Sequence, residues 1–158
     1  MQAFKKFIFP RCASERNHSL LLLTIRLVFG TLLMSHGIQK AANFSALAAG
    51  AFPDPLGLGS DVSAGLAVFG ELVCPVSFIT GFLFRLGTIP MIVTMAVAFL
   101  SVHGGSVTGG ELAFAYLTIY IMMYAAGPGR YSFDRLIANR LYSRNNKYKY
   151  DTTTWRRN

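Results

Sequence analysis

Four apolar stretches, Ser19 to Ala42, Asp61 to Thr80, Phe84 to His103 and Glu111 to Ala126, constrain this chain more than any other feature. A helix needs roughly 20 residues to cross a hydrocarbon core of about 30 Å, and each stretch is of that order. Each also ends where a helix interior would be costly. The first runs into Pro53-Asp54-Pro55 and Gly57-Leu58-Gly59, the second into Gly81, the third into Gly104-Gly105 and the fourth into Gly127-Pro128-Gly129. Composition agrees, since 53% of the 158 residues are hydrophobic and only 14% charged, too apolar for an ordinary soluble domain of this size. The expected fold is all-α, a four-helix transmembrane bundle with a C-terminal cytoplasmic surface helix and no internal repeat. Residues 1–18 form a basic cytoplasmic segment, 19–126 the bundle, 127–145 an amphipathic juxtamembrane segment and 146–158 a polar tail.

Charge sets the expected orientation. Lys5, Lys6, Arg11 and Arg16 precede the first stretch, Arg85 lies between the second and third, and eight more cations follow from Arg130 to Arg157. The opposite loops hold only Lys40, at the end of the first stretch, together with Asp54, Asp61 and Glu111. Lys and Arg collect on the cytoplasmic side, so a multi-pass protein of the plasma (inner) membrane with both termini cytoplasmic is expected. The net charge of +8 then follows from this asymmetry and from attraction to anionic lipid, without nucleic acid as a partner. A cleaved signal peptide is the competing reading of the N-terminus, but the apolar run continues past Arg26 to Met34, longer than a usual signal core. Cys12 in the basic segment and Cys74 within the second stretch are not expected to pair.

The stretch AVFGELVCP, residues 67–75, places Glu71 among residues suited to hydrocarbon. An ionised acid there costs several kcal/mol unless paired. At about 1.5 Å per residue, Arg26 lies roughly 10 Å in from Ser19 and Glu71 roughly 15 Å in from Asp61 on the other face. In a core of about 30 Å their depths differ by only about 5 Å, so a buried Arg26–Glu71 ion pair is expected. Arg26, His36 and Lys40 fall within an arc of about 80° on the first helix, with Gly30 and Gly37 on the same face. The glycines would let a neighbouring helix or a flat ligand come close. Two readings stay open: an interior polar cleft, or a packing contact that fixes helix register.

Other residues add to the same region. Pro75 lacks the N–H that would bond the carbonyl of residue 71, so a kink is expected at Glu71. Cys74 faces much the same way and reads as a small buried hydrophobe. His103 and Glu111 bracket GGSVTGG and form an outer-side polar group that could meet His36. No CxxCH, HExxH or Glu-x-x-His spacing accompanies them, so neither haem nor metal is expected, and no flavin motif is present. Past the fourth stretch, Phe133, Leu136, Ile137 and Leu141 recur at helical spacing while Arg130, Arg135, Arg140 and Arg144 stay polar. This should be a surface helix capped by Ser132, with Asp134 favoured by the dipole of its first turn.

The ordered elements RLVFGTLLMSHGIQK, FGELVCPVSFITGFLFRLG, GGELAFAYL and GPGRYSFD resemble the DoxX family of small four-helix membrane proteins over residues 20 to 137. That resemblance implies a four-helix bundle associated with membrane redox systems, including the small subunit of a thiosulfate:quinone oxidoreductase and proteins of quinone or thiol stress. The expected function is therefore a membrane subunit of a quinone-linked redox system with a ligand-binding pocket of Arg26, His36, Lys40 and Glu71. Quinone is the cofactor such a pocket would suit: Arg26 and Lys40 would donate to its oxygens, and His36 or Glu71 would hold a proton. Catalytic residues are not assigned, and electrons would come from a redox partner subunit or a bound reductant. Two other classes stay open. One is a non-enzymatic accessory or assembly protein that holds a partner at the membrane. The other is a small-solute carrier, for which one bundle without inverted repeats would have to oligomerise.

Overall fold

The computed structural model describes residues 15–142. These are helical apart from connecting loops: α1 is Glu15–Ala42, α2 Ser60–Thr80, α3 Phe84–Val102, α4 Glu111–Ala126 and α5 residues 133–142, and the connection from α1 to α2 opens with a short helical turn, Phe44–Ala46, that runs into a π turn at Leu47–Ala51. The first three are long and apolar enough to span a bilayer; α4, at 16 residues, is shorter. The expectations placed on Lys5, Lys6, Arg11, Cys12 and the residues from 143 onward lie outside the described residues.

Glycine sets how α1 and α2 meet. The backbone of Gly30 lies against Phe78 and Ile79, and a Cβ added to Gly37 would fall 2.6 Å from the carbonyl carbon of Glu71. The space that these glycines open is thus filled by α2 and holds no room for a ligand. Helix α4 closes the bundle through Tyr120, whose hydroxyl donates to the Phe29 carbonyl at 3.0 Å. Its ring stacks on Tyr116 at 5.7 Å and meets Phe78 edge-on at 5.2 Å, within a core that also holds Leu33, Phe84, Met91 and Met95. Only 28, 44 and 22% of the apolar windows of α1, α2 and α3 are buried inside the bundle, so most of their hydrocarbon surface faces outward, where lipid covers it.

Two helices widen locally. A π turn at Phe69–Val73 lies just ahead of Pro75, with the Cys74 N–H reaching back five residues to the Phe69 carbonyl, and a second ends α3 at Ala98–Val102. The expected distortion at Glu71 is therefore a π turn, a form that accommodates an interrupted ladder.

Arg26 does not pair with Glu71. It is 1% exposed, with Nε donating to Phe78 O at 2.8 Å, Nη2 to Ile79 O at 2.5 Å, and Nη1 to Pro128 O at 2.8 Å and Tyr131 O at 2.9 Å. The reason is register. Gly37, not Arg26, is level with Glu71, and eleven residues of helix separate the two, about 16 Å. Arg26 instead joins the end of α2 to the GPGRY loop, satisfying carbonyls that a helix C-terminus leaves orphaned. Gly81 closes α2 in the left-handed region at φ 69°, where a Cβ would also sit 2.6 Å from Arg26 Nη2.

Beside it, Ser132 Oγ accepts from the Arg135 N–H at 3.2 Å and caps α5 as expected. Asp134 has a different task from serving its own helix. Its carboxylate accepts the N–H groups of Leu83 and Phe84, both at 2.9 Å, and so caps α3, holding Leu83 at the unusual φ of 49°. Asp134→Ala is expected to cost about 1 kcal/mol, the usual effect of losing a cap. Thermal unfolding in detergent measures the loss, and amide exchange should quicken at Leu83 and Phe84 first.

Candidate functional site

Glu71 is 3% exposed, and its two carboxylate oxygens accept from Lys40 Nζ at 2.5 and 2.6 Å. The intramembrane acid is thus paired by lysine. Helical side chains lean toward the N-terminus of their helix, so Lys40, one turn beyond Gly37, reaches back to the level at which Gly37 meets Glu71. The ammonium also lies 5.8 Å from the centre of the Phe52 ring, which the loop after α1 folds back over it.

Two cavities share this ion pair. The larger, of about 330 Å³, lies between α2, α3 and the 52–56 loop, with Phe52, Leu66, Phe69, Val93 and Val97 among its walls and Lys40 and Glu71 at its polar edge. The smaller, of about 150 Å³, is lined by His36, Lys40, Glu71, His103 and Tyr116 together with apolar side chains of α1, α3 and α4. Four of the six residues singled out in the sequence therefore converge: His36, Lys40, Glu71 and His103. Arg26 belongs to the other end of the bundle, and Glu111 is exposed at the start of α4, where the neighbouring Leu112 and Ala113 line the smaller cavity instead.

Sequence reasoning did not find Tyr116 or Phe52. Tyr116 meets the His36 ring edge-on at 6.3 Å, yet within ELAFAYLTIY an aromatic reads as core. Phe52 follows Gly50, whose φ of 112° turns the loop back, a bend invisible in hydropathy.

Asp54 fixes that loop. Its carboxylate accepts from Ser63 Oγ at 2.8 Å, the Gly59 N–H at 2.7 Å and the Leu58 N–H at 3.0 Å. The Ser63 hydroxyl first, and then these amides, hold the carboxyl below its ordinary pKa. A depressed acid stabilises its fold above the unfolded value and loses that effect as pH falls through the folded one. Amide protection at Leu58 and Gly59 should accordingly persist through the ordinary carboxylate range and disappear only in stronger acid, which exchange measured against pH would show.

The DoxX family model matches residues 21–104, more than half of the chain. The chain belongs to the DoxX family. Among its relatives, this DoxX chain is 29% identical over 143 residues to an uncharacterized membrane protein of Mycobacterium tuberculosis, covering 75% of this chain and 82% of that one. It is 27% identical over 142 residues to an uncharacterized protein of Haemophilus influenzae, covering 85% and 88% respectively. No solved structure matches it. The matched DoxX segment runs from α1 to the end of α3 and contains His36, Lys40, Glu71 and His103, whereas Tyr116 lies beyond it.

The contact beneath the ion pair gives a direct test of the packing in this DoxX protein. Gly37→Ala drives a methyl group into the Glu71 backbone, which cannot rotate away, and overpacking of this kind costs about 1–3 kcal/mol. Gly65→Ala in α2, where nothing lies within 4 Å, should be neutral or slightly stabilising through helix propensity. Unfolding both variants in the same detergent separates the steric effect from a general intolerance of substitution.

Proposed function

We propose that this DoxX protein is the membrane subunit of a quinone-linked redox system, and that a bilayer-dissolved quinone places its ring in the larger cavity against the Lys40–Glu71 pair. One observation carries the reading: apolar walls enclose about 330 Å³ and the lining charges are confined to Lys40 and Glu71. That volume lies at the lower end of the range for small-molecule sites, which typically combine apolar walls with a few placed polar groups. Lys40 has three N–H donors, of which Glu71 takes two, leaving one for a ligand oxygen. Glu71 is a carboxylate that can hold a proton beside that oxygen. Bound quinone supplies two-electron chemistry, and a redox partner subunit supplies the electrons. Arg16, Arg85, Arg130, Arg135 and Arg140 belong to the end of the bundle where α1 starts and α4 finishes, which we take as the cytoplasmic side of the inner membrane.

The test is native mass spectrometry with lipid extraction on gently purified protein, followed by titration with decyl-ubiquinone. Wild type should retain or bind one quinone, and Lys40→Met and Glu71→Gln should lose it. A wild-type bundle that remains empty at saturating decyl-ubiquinone overturns the reading. If a protein partner copurifies with that empty bundle, the function moves to assembly.

A further inference from the structure

We infer that the smaller cavity is an aqueous proton entrance to Glu71 from the end of the bundle that carries His103, opposite the end at which α1 starts. The reading rests on the quinone proposal only for what the proton is used for. Lys40 and Glu71 form a wall common to both cavities, so one carboxylate is presented to two compartments of different character. On the larger side the remaining lining groups are uncharged. On the smaller side the polar groups form a graded series from surface to interior: His103 is exposed, His36 half-buried and Glu71 buried. The titratable groups facing this space are His36 and Lys40 from α1, Glu71 from α2, His103 from the end of α3 and Tyr116 from α4.

A volume of about 150 Å³ exceeds what one water requires, and a buried water needs two to four polar partners, which these side chains provide. Histidine exchanges its proton near neutral pH, so the order of residues suits stepwise transfer. Bulk solvent protonates the His103 imidazole, His36 receives the proton across the cavity water, and a Glu71 oxygen accepts it, becoming a neutral carboxylic acid. Lys40 keeps its ammonium charge and loses its counter-ion, so the proton's arrival loosens the wall between the cavities. A packing role for His36 against Tyr116 would give none of this directionality.

Two measurements test the entrance. The first uses protein freed of its cysteines by Cys12→Ser and Cys74→Ala and reconstituted in liposomes. Ala113→Cys, on the smaller cavity, should react with a small aqueous methanethiosulfonate about tenfold or more faster than Leu66→Cys, on the larger. Equal, slow reaction at both sites means a dry cavity and overturns the proposal. The second follows the infrared carboxyl band of Glu71, identified by its absence in Glu71→Gln, after a pH jump. The exposed His103→Ala should slow its appearance about tenfold or more, with imidazole in the buffer restoring the rate. An unchanged rate in both His103→Ala and His36→Gln, or no Glu71 band in wild type, overturns it. Wet access without quinone binding would instead sink the proposed function and leave the entrance standing.

Discussion

Arg26→Met is expected to destabilise the bundle by about 4 kcal/mol or more, the largest effect of any single substitution in the described residues. Four carbonyls lose one donor group at once, and hydrogen bonds to charged groups each contribute about 1.5–3 kcal/mol. Those contributions do not add fully, because the four acceptors share one guanidinium, and about 4 kcal/mol is a discounted sum. What raises the cost is the surroundings: orphaned carbonyls near hydrocarbon find little water to replace the lost bonds. Arg26→Lys should recover little, since an ammonium lacks the planar fork that reaches two chain segments at once. Denaturation in mixed micelles would measure the loss, and amide exchange should quicken at Asp134, whose N–H bonds the Gly81 carbonyl at 2.9 Å. A variant within about 1 kcal/mol of wild type would show that the four bonds carry little net stability.

Lys40→Met comes second, at about 3 kcal/mol. Removing one partner of a buried pair usually costs 3–5 kcal/mol, roughly, because the other charge is left without compensation. Here the stranded group is Glu71, 3% exposed, whereas Lys40 is 31% exposed and the reverse substitution leaves a cation that can turn toward water. Glu71→Gln alone should therefore be milder than Lys40→Met. The double variant should regain most of the loss, since a neutral amide beside methionine needs no counter-charge. A double-mutant cycle checks this: if the two losses simply add, the ion pair is not energetically coupled.

The all-helical fold and the order of its apolar helices were legible because their signals are local, whereas the short helical segment from Phe44 to Ala51 carries no such signal. Pro53, Gly81, Gly104 and Gly127 each interrupt an apolar run, and loops follow at each. The Ser132 cap was legible for the same reason. That Glu71 must be paired also followed from its surroundings alone. Which cation pairs with it did not, because depth counted from helix ends assumes that both helices enter the bilayer at matched points. The Gly37 contact fixes the register instead, and the lean of the Lys40 side chain does the rest. Asp134 illustrates the same limit. Its residue type fits a helix start, yet it caps a helix fifty residues earlier in the chain, a relation that only tertiary packing creates. His36 and His103 could be assigned to one end by topology, while Tyr116 was hidden by the apolar run around it.

The π turn at Phe69–Val73 makes the site sensitive to counting. A wide turn accommodates one residue more than an α-helical path of the same rise, and that extra residue decides which way Glu71 points relative to Phe78 and Ile79. Those two are anchored independently, by Gly30 and Arg26. Removing one residue between Glu71 and Cys74 would turn the acid by about 100° against that anchor. Composition, charge and hydropathy would hardly change, yet the carboxylate would no longer face Lys40. In this stretch a gap in an alignment has the weight of a charge substitution, and a relative that keeps the glutamate one position out of step has lost it.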